Sequence, residues 1–244
     1  MKFSIITICY NAAATIERTL VSVTGQSWAN RQYIIIDGAS KDATLDIIGR
    51  YRDKVDILVS EPDKGLYDAM NKGLRLADGD YVLFMNAGDR FHESTTLEQI
   101  AAQVKDCDPL PGVIYGNTAL TNMAGEIYGM RRLAPPEHLT WKSFKNGMLV
   151  CHQAFYARRD LAEPYDLKYR YSADVDWCIR VMKKAEVLHN THLIVADYLE
   201  DGSGVTIDNR KASLKERFAI MRKHYGLLST LCHHAWFVVR LLFK

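Results

Sequence analysis

The chain has 244 residues, enough to bury one large core or two modest ones, and its 48% hydrophobic and 25% charged content is that of an ordinary soluble protein. Five cysteines (Cys9, Cys107, Cys151, Cys178 and Cys232) are widely spaced with no Cys-x-x-Cys pair, which excludes a disulfide framework or a zinc site and points to a reducing compartment. The net charge of +2 hides an asymmetry: residues 210–244 carry eight Lys or Arg and one acid, Glu216, so this tail is expected to face something anionic.

The opening MKFSIITICYNA reads as a strand and not as a signal peptide. Phe3–Tyr10 is the first strand, and Asn11 is placed to cap a helix whose inner face carries Ile16, Leu20 and Val23. A second buried strand, Tyr33–Ile36, runs into Asp37-Gly38-Ala39-Ser40. A helix through Leu45, Ile48 and Tyr51 follows, then a strand, Ile57–Val59, that leads to Glu61-Pro62-Asp63-Lys64-Gly65. Leu66, Met70, Leu74 and Ala77 mark the face of another helix. Next comes the uninterrupted apolar run Tyr81–Met85, the pattern of a strand covered on both sides. Strand and helix alternate through about residue 105, which predicts a parallel sheet between helices.

Three of these strands end near an acid: Asp37, Asp63 and Asp89. Right-handed crossovers bring successive carboxyl ends to one edge of a parallel sheet, where ligands bind, so the three are expected in one cleft. Asp89 closes an Asn86-Ala87-Gly88-Asp89 turn. It reads either as a carboxylate for a hard cation holding a phosphate or as a polar turn capping the next helix. The first strand-to-helix turn has no Gly, and there is no Gly-Lys-Ser/Thr loop, which argues against dinucleotide-dependent oxidoreductases and P-loop kinases. Beyond residue 106 prolines punctuate shorter strand-like pieces at Val113–Tyr115, Ile127–Met130 and Met148–Tyr156. Tyr171–Arg180 then reads as a helix start, with Asp174 in its first turn.

Taken together, SIITICYNAAATIERTLVSV, YIIIDGASKDATLDII, SEPDKGLYDAMNKGL, GDYVLFMNAGD, CHQAFY and YSADVDW resemble the inverting nucleotide-sugar glycosyltransferases of family 2, of the bacterial surface-polysaccharide type. The resemblance spans residues 3–180 and implies an α/β GT-A fold, a mostly parallel sheet with helices on both faces. A Rossmann-like nucleotide half would occupy residues 1–105 and an acceptor-binding half of the same domain residues 106–205, with basic amphipathic helices over residues 206–244. It puts Thr7, Tyr10 and Asn11 at the floor of the nucleotide pocket and Asp37 on the nucleoside. Asp68 would lie near the base, with Asn71 shaping its loop. Asp89 takes the place of the last acid of a metal-binding Asp-x-Asp motif for Mg²⁺ or Mn²⁺, and Asp174 that of the general base. One departure is that the family often has Asp-Asp or Asp-x-Asp at the metal site, whereas this chain reads Asn86-Ala87-Gly88-Asp89, with one carboxylate.

The chemistry implied is a single displacement at the anomeric carbon. A base takes the acceptor hydroxyl's proton, and positive charge steadies the departing diphosphate. Asp174 also reads as a helix cap, and Asp176 is the reserve base. His152-Gln153 could touch acceptor or phosphate, and the arginine pairs 131/132 and 158/159 could grip an anionic acceptor or be solvated. The expected partners are a UDP- or GDP-sugar and a glycan or polyprenyl-diphosphate-linked acceptor, with no nucleic acid and with a homodimer possible. A catalytically silent sugar- or nucleotide-binding module and a GT-A-like nucleotidyltransferase remain alternatives. In the tail, Leu214, Phe218, Met221 and Tyr225 recur at helical spacing before a Trp- and Leu-rich segment shorter than the about 20 apolar residues of a membrane span. The tail is read either as an interfacial helix that keeps a cytoplasmic enzyme on the inner membrane face, or as helices packed on the protein or on a second copy.

Overall fold

A computed structural model describes residues 1–200 and 209–242, with side chains through residue 237. The expected boundary near residue 205 lies outside the described residues, as do the side chains that end the tail. The apolar runs become strands β1 (Phe3–Cys9), β2 (Arg31–Asp37), β3 (Ile57–Ser60) and β4 (Tyr81–Phe84). They are parallel and ordered β3-β2-β1-β4, and β1, β2 and β4 are covered on both faces, which is why they read as unbroken hydrophobic stretches. Between them run α1 (Ile16–Thr24), α2 (Thr44–Gly49) and α3 (Leu66–Leu76), followed by α4 (Thr96–Val104). Ile16, Leu20 and Val23 of α1 are all buried, as the helical spacing predicts.

Register places the carboxyl ends abreast: Cys9 lies opposite Asp37, and Asp37 opposite Ser60. The chain after β4 stays against β1, with Met85 N–H bonded to Ile6 O and Ala87 N–H to Ile8 O, so the Asn86–Asp89 turn joins the same edge.

The second half extends this sheet with mixed polarity. Strand β8 (Phe155–Arg158) pairs antiparallel with β4, and β6 (Val113–Thr121) antiparallel with β8. Then β9 (Leu188–Leu199) runs parallel to β6, β5 (Arg90–Phe91) pairs with β9, and β7 (Ile127–Met130) forms a hairpin with β6. The two-residue β5 directly follows the Asp89 turn yet lies at the far end of the strand order, so the sheet curls back on itself there. Helix α5 (Ala173–Lys184) packs through Trp177 into an aromatic cluster with Phe84, His152, Phe155 and Tyr165. The C-terminal helices are α6 (Arg210–Tyr225) and α7 (Leu227–Leu242).

Four sequence expectations need correction. Asn11 caps no helix: α1 begins at Ile16, and Asn11 sits in a turn with φ +48°. Met148–Tyr156 is not a strand, because a 3-10 turn at His152–Ala154 precedes the short β8. Strand β9 was not foreseen; its imperfect alternation through His189, Asn190 and His192 masks a strand shared between two neighbours. In α6 the buried positions are Ser213, Ile220 and Met221, whereas Leu214 is exposed.

Helix α3 lies close on β1 because Gly73 has no side chain; an added Cβ would stand 2.4 Å from Ile6 Cγ2. Gly73→Ala should therefore destabilise the fold by about 1–3 kcal/mol despite alanine's better helix propensity. The urea midpoint checks this, and an unchanged or raised midpoint would contradict the close packing.

Candidate active site

One side of the cleft is built at the ends of β1 and β2. Gly38 follows Asp37, and a Cβ there would meet Asp63 Oδ2 at 2.7 Å and the Tyr10 ring at 3.3 Å, so Tyr10, Gly38 and Asp63 converge. Tyr10 is 62% exposed and offers an open aromatic face. Asp37 lies beneath, fully buried. Its carboxylate accepts Ser40 N–H (3.0 Å), Ser60 Oγ–H (2.7 Å) and the Ser40 hydroxyl. Asn11 holds the same loop: its N–H donates to Ser40 Oγ and its Oδ1 accepts Lys41 N–H, both at 2.8 Å. Asp63 binds Gly65 N–H through Oδ1 (2.7 Å), and no donor among the described residues reaches its Oδ2.

Thr7 does not reach this cleft. It is fully buried, and its hydroxyl donates to Met85 O (2.8 Å) and lies 3.1 Å from the Tyr33 hydroxyl, so it ties β1 to its neighbours. On α3, Asp68 accepts Lys64 N–H (3.0 Å) and so closes the turn at the helix start. The Asn71 amide is committed in both directions, to Tyr165 O (3.1 Å) and from Tyr165 N–H (2.7 Å); it pins the segment ahead of α5 to α3.

Asp89 is not the exposed strand-end carboxylate that its turn implies. It is 4% exposed, and its oxygens accept Gln153 Nε2–H (2.5 Å) and Leu199 N–H (2.9 Å). The sheet's curl brings β9 and the 3-10 turn ahead of β8 onto it. Nearby in the turn, Asn86 Oδ1 is buried with no hydrogen-bond partner among the described residues. Among the described residues no group of three His, Cys, Asp or Glu forms a metal cage. One carboxylate and an unsatisfied amide oxygen, both hard donors, fit a divalent ion held chiefly by substrate phosphates. Beside them is a pocket of about 280 Å³ lined in part by Thr118, Arg131, Leu149 and Cys151, and the Cys151 thiol donates to Gln153 Oε1.

His152 and Gln153 part company. Gln153 meets Asp89, while His152 turns into the core, stacked on Phe84 at 4.9 Å with Nε2 2.7 Å from the Tyr165 hydroxyl. Burial pushes its pKa down to about 4, against a smaller opposing pull from Asp174. The pairs of arginines separate as well. Arg158 binds Asp160 and Arg159 binds Gly79 O at the edge away from the cleft, whereas Arg131 lines the pocket.

Asp174 stands in the first turn of α5, and its Oδ1 accepts the Tyr67 hydroxyl of α3 at 3.0 Å. Burial, then the Asp174 charge, hold the Tyr67 phenol well above its ordinary pKa, so it stays a donor. No donor among the described residues reaches Asp174 Oδ2. The reserve candidate Asp176 has a different fate: it is fully buried and bound by Arg180 Nε, Lys223 Nζ and His224 Nε2, each at 2.8 Å. Burial alone would raise its pKa, but the hydrogen bonds from His224, Lys223 and Arg180 outweigh it and hold the carboxyl far below its usual range. An ion so enclosed does not take up a proton from substrate. Sequence reasoning passed over Tyr67, although it adjoins the singled-out Asp68, and Glu216, whose role no local pattern signals.

The sequence profile described as Glycosyl transferase family 2 matches residues 4–165. The chain belongs to glycosyl transferase family 2. Family membership sets aside the nucleotidyltransferase reading. Among family 2 relatives it is 35% identical over 210 residues to a "PGL/p-HBAD biosynthesis glycosyltransferase" of Mycobacterium bovis, covering 82% of this chain and 77% of that one. It is 26% identical to the "Putative teichuronic acid biosynthesis glycosyltransferase TuaG" of Bacillus subtilis, covering 94% and 92%. S. aureus TarS 1-349, solved with UDP-GlcNAc, shares the fold at a TM-score of 0.70 and 20% identity; the match covers 91% of this chain and 65% of TarS 1-349, so the chain spans about two thirds of that protein. The mannosyltransferase PcManGT of Pyrobaculum calidifontis, solved with GDP-Man and Mn2+, gives a TM-score of 0.64 at 15% identity, covering 97% and 75%.

The neutral, buried His152 makes a test of the site's core. Between the ordinary histidine pKa of 6.5 and about 4, the unfolded chain binds a proton here that the folded one does not, so stability falls as pH drops through that window. Replacing His152 with Phe should flatten the dependence of unfolding free energy on pH between these values. An unaltered slope in urea melts would place the histidine's titration elsewhere.

Proposed function

We propose that this family 2 enzyme is an inverting glycosyltransferase that moves a sugar from a UDP- or GDP-sugar to a hydroxyl of a lipid-linked glycan during surface polysaccharide or glycolipid synthesis. The observation that carries this is that two carboxylates belong to the carboxyl edge of one sheet, Asp89 in the turn after β4 and Asp174, which begins α5 and is bound by Tyr67 at the start of α3. The relatives named for glycolipid and teichuronic acid biosynthesis support the acceptor class, and the neighbours solved with UDP-GlcNAc and GDP-Man support the donor class.

In this reading residues 1–105 take the nucleotide. Tyr10 covers the base or ribose, with Asp63 and Asp68 beside it, while Asp37, Asn11 and Thr7 shape the floor from beneath. Asp89 and Asn86 would hold Mg²⁺ or Mn²⁺, which would supply positive charge to the departing diphosphate. Residues 106–205 supply the acceptor side, including the pocket at Arg131 and Cys151. Tyr67 fixes Asp174 Oδ1, which leaves Oδ2 open to take the acceptor hydroxyl's proton. Water on the acceptor side must be excluded for transfer to prevail over hydrolysis.

Incubation with a panel of nucleotide sugars, followed by nucleoside diphosphate release, identifies the donor. With that donor, Asp174→Asn should lower turnover by roughly two to four orders of magnitude and leave donor affinity unchanged. Normal turnover in this variant, with metal present, would sink the mechanism.

We place the enzyme at the inner face of the cytoplasmic membrane. Helix α6 is docked on the protein, with Tyr225 stacked on Trp141 at 5.5 Å, so it does not itself lie in lipid. Helix α7 instead exposes Leu227, Leu228, Leu231 and Trp236, with Leu228 80% and Trp236 58% exposed. No helix among the described residues is long and apolar enough to cross a membrane. An apolar helix face beside a basic one suits an interface. In vesicle flotation the full chain should rise with anionic liposomes at low salt, and Leu228→Glu combined with Trp236→Glu should stay at the bottom. Equal flotation of the two would assign that face to protein contact.

A further inference from the structure

Helix α5 has an unusual N-terminus. Ser172 is its cap residue, yet its hydroxyl makes no capping bond and lies 3.0 Å from Ser213 Oγ on α6. The amides that lead into the helix are gathered by another residue of α6. Glu216 Oε1 accepts Arg170 N–H at 2.8 Å, and Oε2 accepts Tyr171 N–H at 2.8 Å and Ser172 N–H at 3.0 Å. One carboxylate thus fixes three consecutive peptide units, the last of them two residues before Asp174. Two turns further along α6, Lys223 and His224 seize Asp176, two residues after Asp174. The backbone that carries Asp174 is held from both sides by the same C-terminal helix.

Carboxylate acceptance of several backbone N–H groups is among the stronger hydrogen-bond arrangements, and it is directional. Tyr67 sets one oxygen of Asp174, but a single hydroxyl cannot fix where the Asp174 Cα stands. That is set by the entry into α5, where Tyr169 N–H bonds to Asp166 O at 3.1 Å and Lys168 N–H to Asp166 Oδ1 at 3.2 Å before Glu216 takes over. Glu216 is also the sole acid between residues 210 and 244, in a helix otherwise rich in Lys and Arg. Solubility or lipid attraction gives no reason for it there, whereas the three amides do.

We propose that Glu216 is a positioning residue for the catalytic base: it acts through the entry of α5 to hold Asp174 at the acceptor hydroxyl, and α6 is accordingly part of the active-site architecture. The inference rests on the assignment of Asp174 as the base. Among the described residues the donor side, built on β1, β2 and the Asn86–Asp89 turn, makes no hydrogen bond with Glu216, so substitution should separate turnover from donor binding.

The test uses the full chain with Glu216→Ala, Glu216→Gln, Asp174→Asn and the Asp174→Asn/Glu216→Ala double variant. Turnover is measured with the donor selected by the panel, and binding with UDP and GDP in the presence of Mn²⁺. Displacement of a reacting group by the order of 1 Å costs about a hundredfold, so Glu216→Ala should lose roughly ten- to a hundredfold in kcat with nucleotide affinity unchanged. Glu216→Gln, which retains one acceptor oxygen, should fall between it and the parent. The double variant should lose no more than Asp174→Asn alone, because a residue that acts only through the base has nothing further to remove. Hydrogen exchange adds a readout independent of activity: amides 170–172 should lose protection in Glu216→Ala.

Unchanged kcat in Glu216→Ala beside a crippled Asp174→Asn overturns the inference and leaves the base assignment intact. So do losses that multiply in the double variant, or nucleotide binding that falls in step with turnover in both Glu216→Ala and Glu216→Gln, since either makes Glu216 a general prop of the fold. Full turnover in Asp174→Asn overturns the base assignment and this inference together.

Discussion

The carboxylate of Asp89 is where the β9–β5 end of the sheet curls back onto its centre. It ends the turn after β4, beside the centre of the strand order, and receives an N–H from Leu199 at the end of β9 and from Gln153 just before β8. The same turn is anchored to α1, because Thr19 Oγ1 donates to Asp89 O at 2.6 Å and accepts Gly88 N–H at 2.9 Å. A buried carboxylate is costly unless hydrogen-bonded, so the curl of the sheet, which brings those donors, and the burial of Asp89 require one another. Helix α1, the Asn86–Asp89 turn, β8 and β9 are all located by that requirement.

The acids of the site divide by environment, not by residue type. Asp37, Asp89, Asp176 and Asp197 are buried and bound by serines, amides or cations; Asp197, for example, holds Arg90 and His92 at 2.7 Å each. Asp63 and Asp174 each keep one oxygen with no donor among the described residues. Only such groups combine a fixed direction with an open lone pair, which is what contact with a substrate hydroxyl demands. The bound acids build the frame that aims the open ones.

The C-terminal helices belong to this frame in unequal measure. Helix α6 is secured by Glu216, by Lys223 and His224 on Asp176, and by Tyr225 on Trp141, where the Tyr225 hydroxyl also donates to Trp141 O at 2.7 Å. Helix α7 presents Leu228 and Trp236 outward. A rigid link therefore runs from an exposed apolar helix to the segment that bears Asp174.

Much of the first half of the chain was legible in the sequence, since strands buried on both faces must be continuously apolar and the helices between them must repeat every three to four residues. Tyr81–Phe84 as a strand, Leu66–Leu76 as a helix and the gathering of Asp37, Asp63 and Asp89 at one edge all follow from such local patterns. The resemblance across these blocks pointed to family 2 before any coordinates. Tertiary structure alone decided which acids stay open, because Asp174 and Asp176 are chemically alike and differ only in what α3 and α6 bring to them. It alone sent His152 into the core and its neighbour Gln153 to Asp89. It revealed β9, whose side chains match two different neighbours and so carry no clean period. Contacts such as Glu216 with residues 170–172 join positions more than forty residues apart. Such pairings are set by how packed elements meet in space, and that information is held in no single stretch of chain.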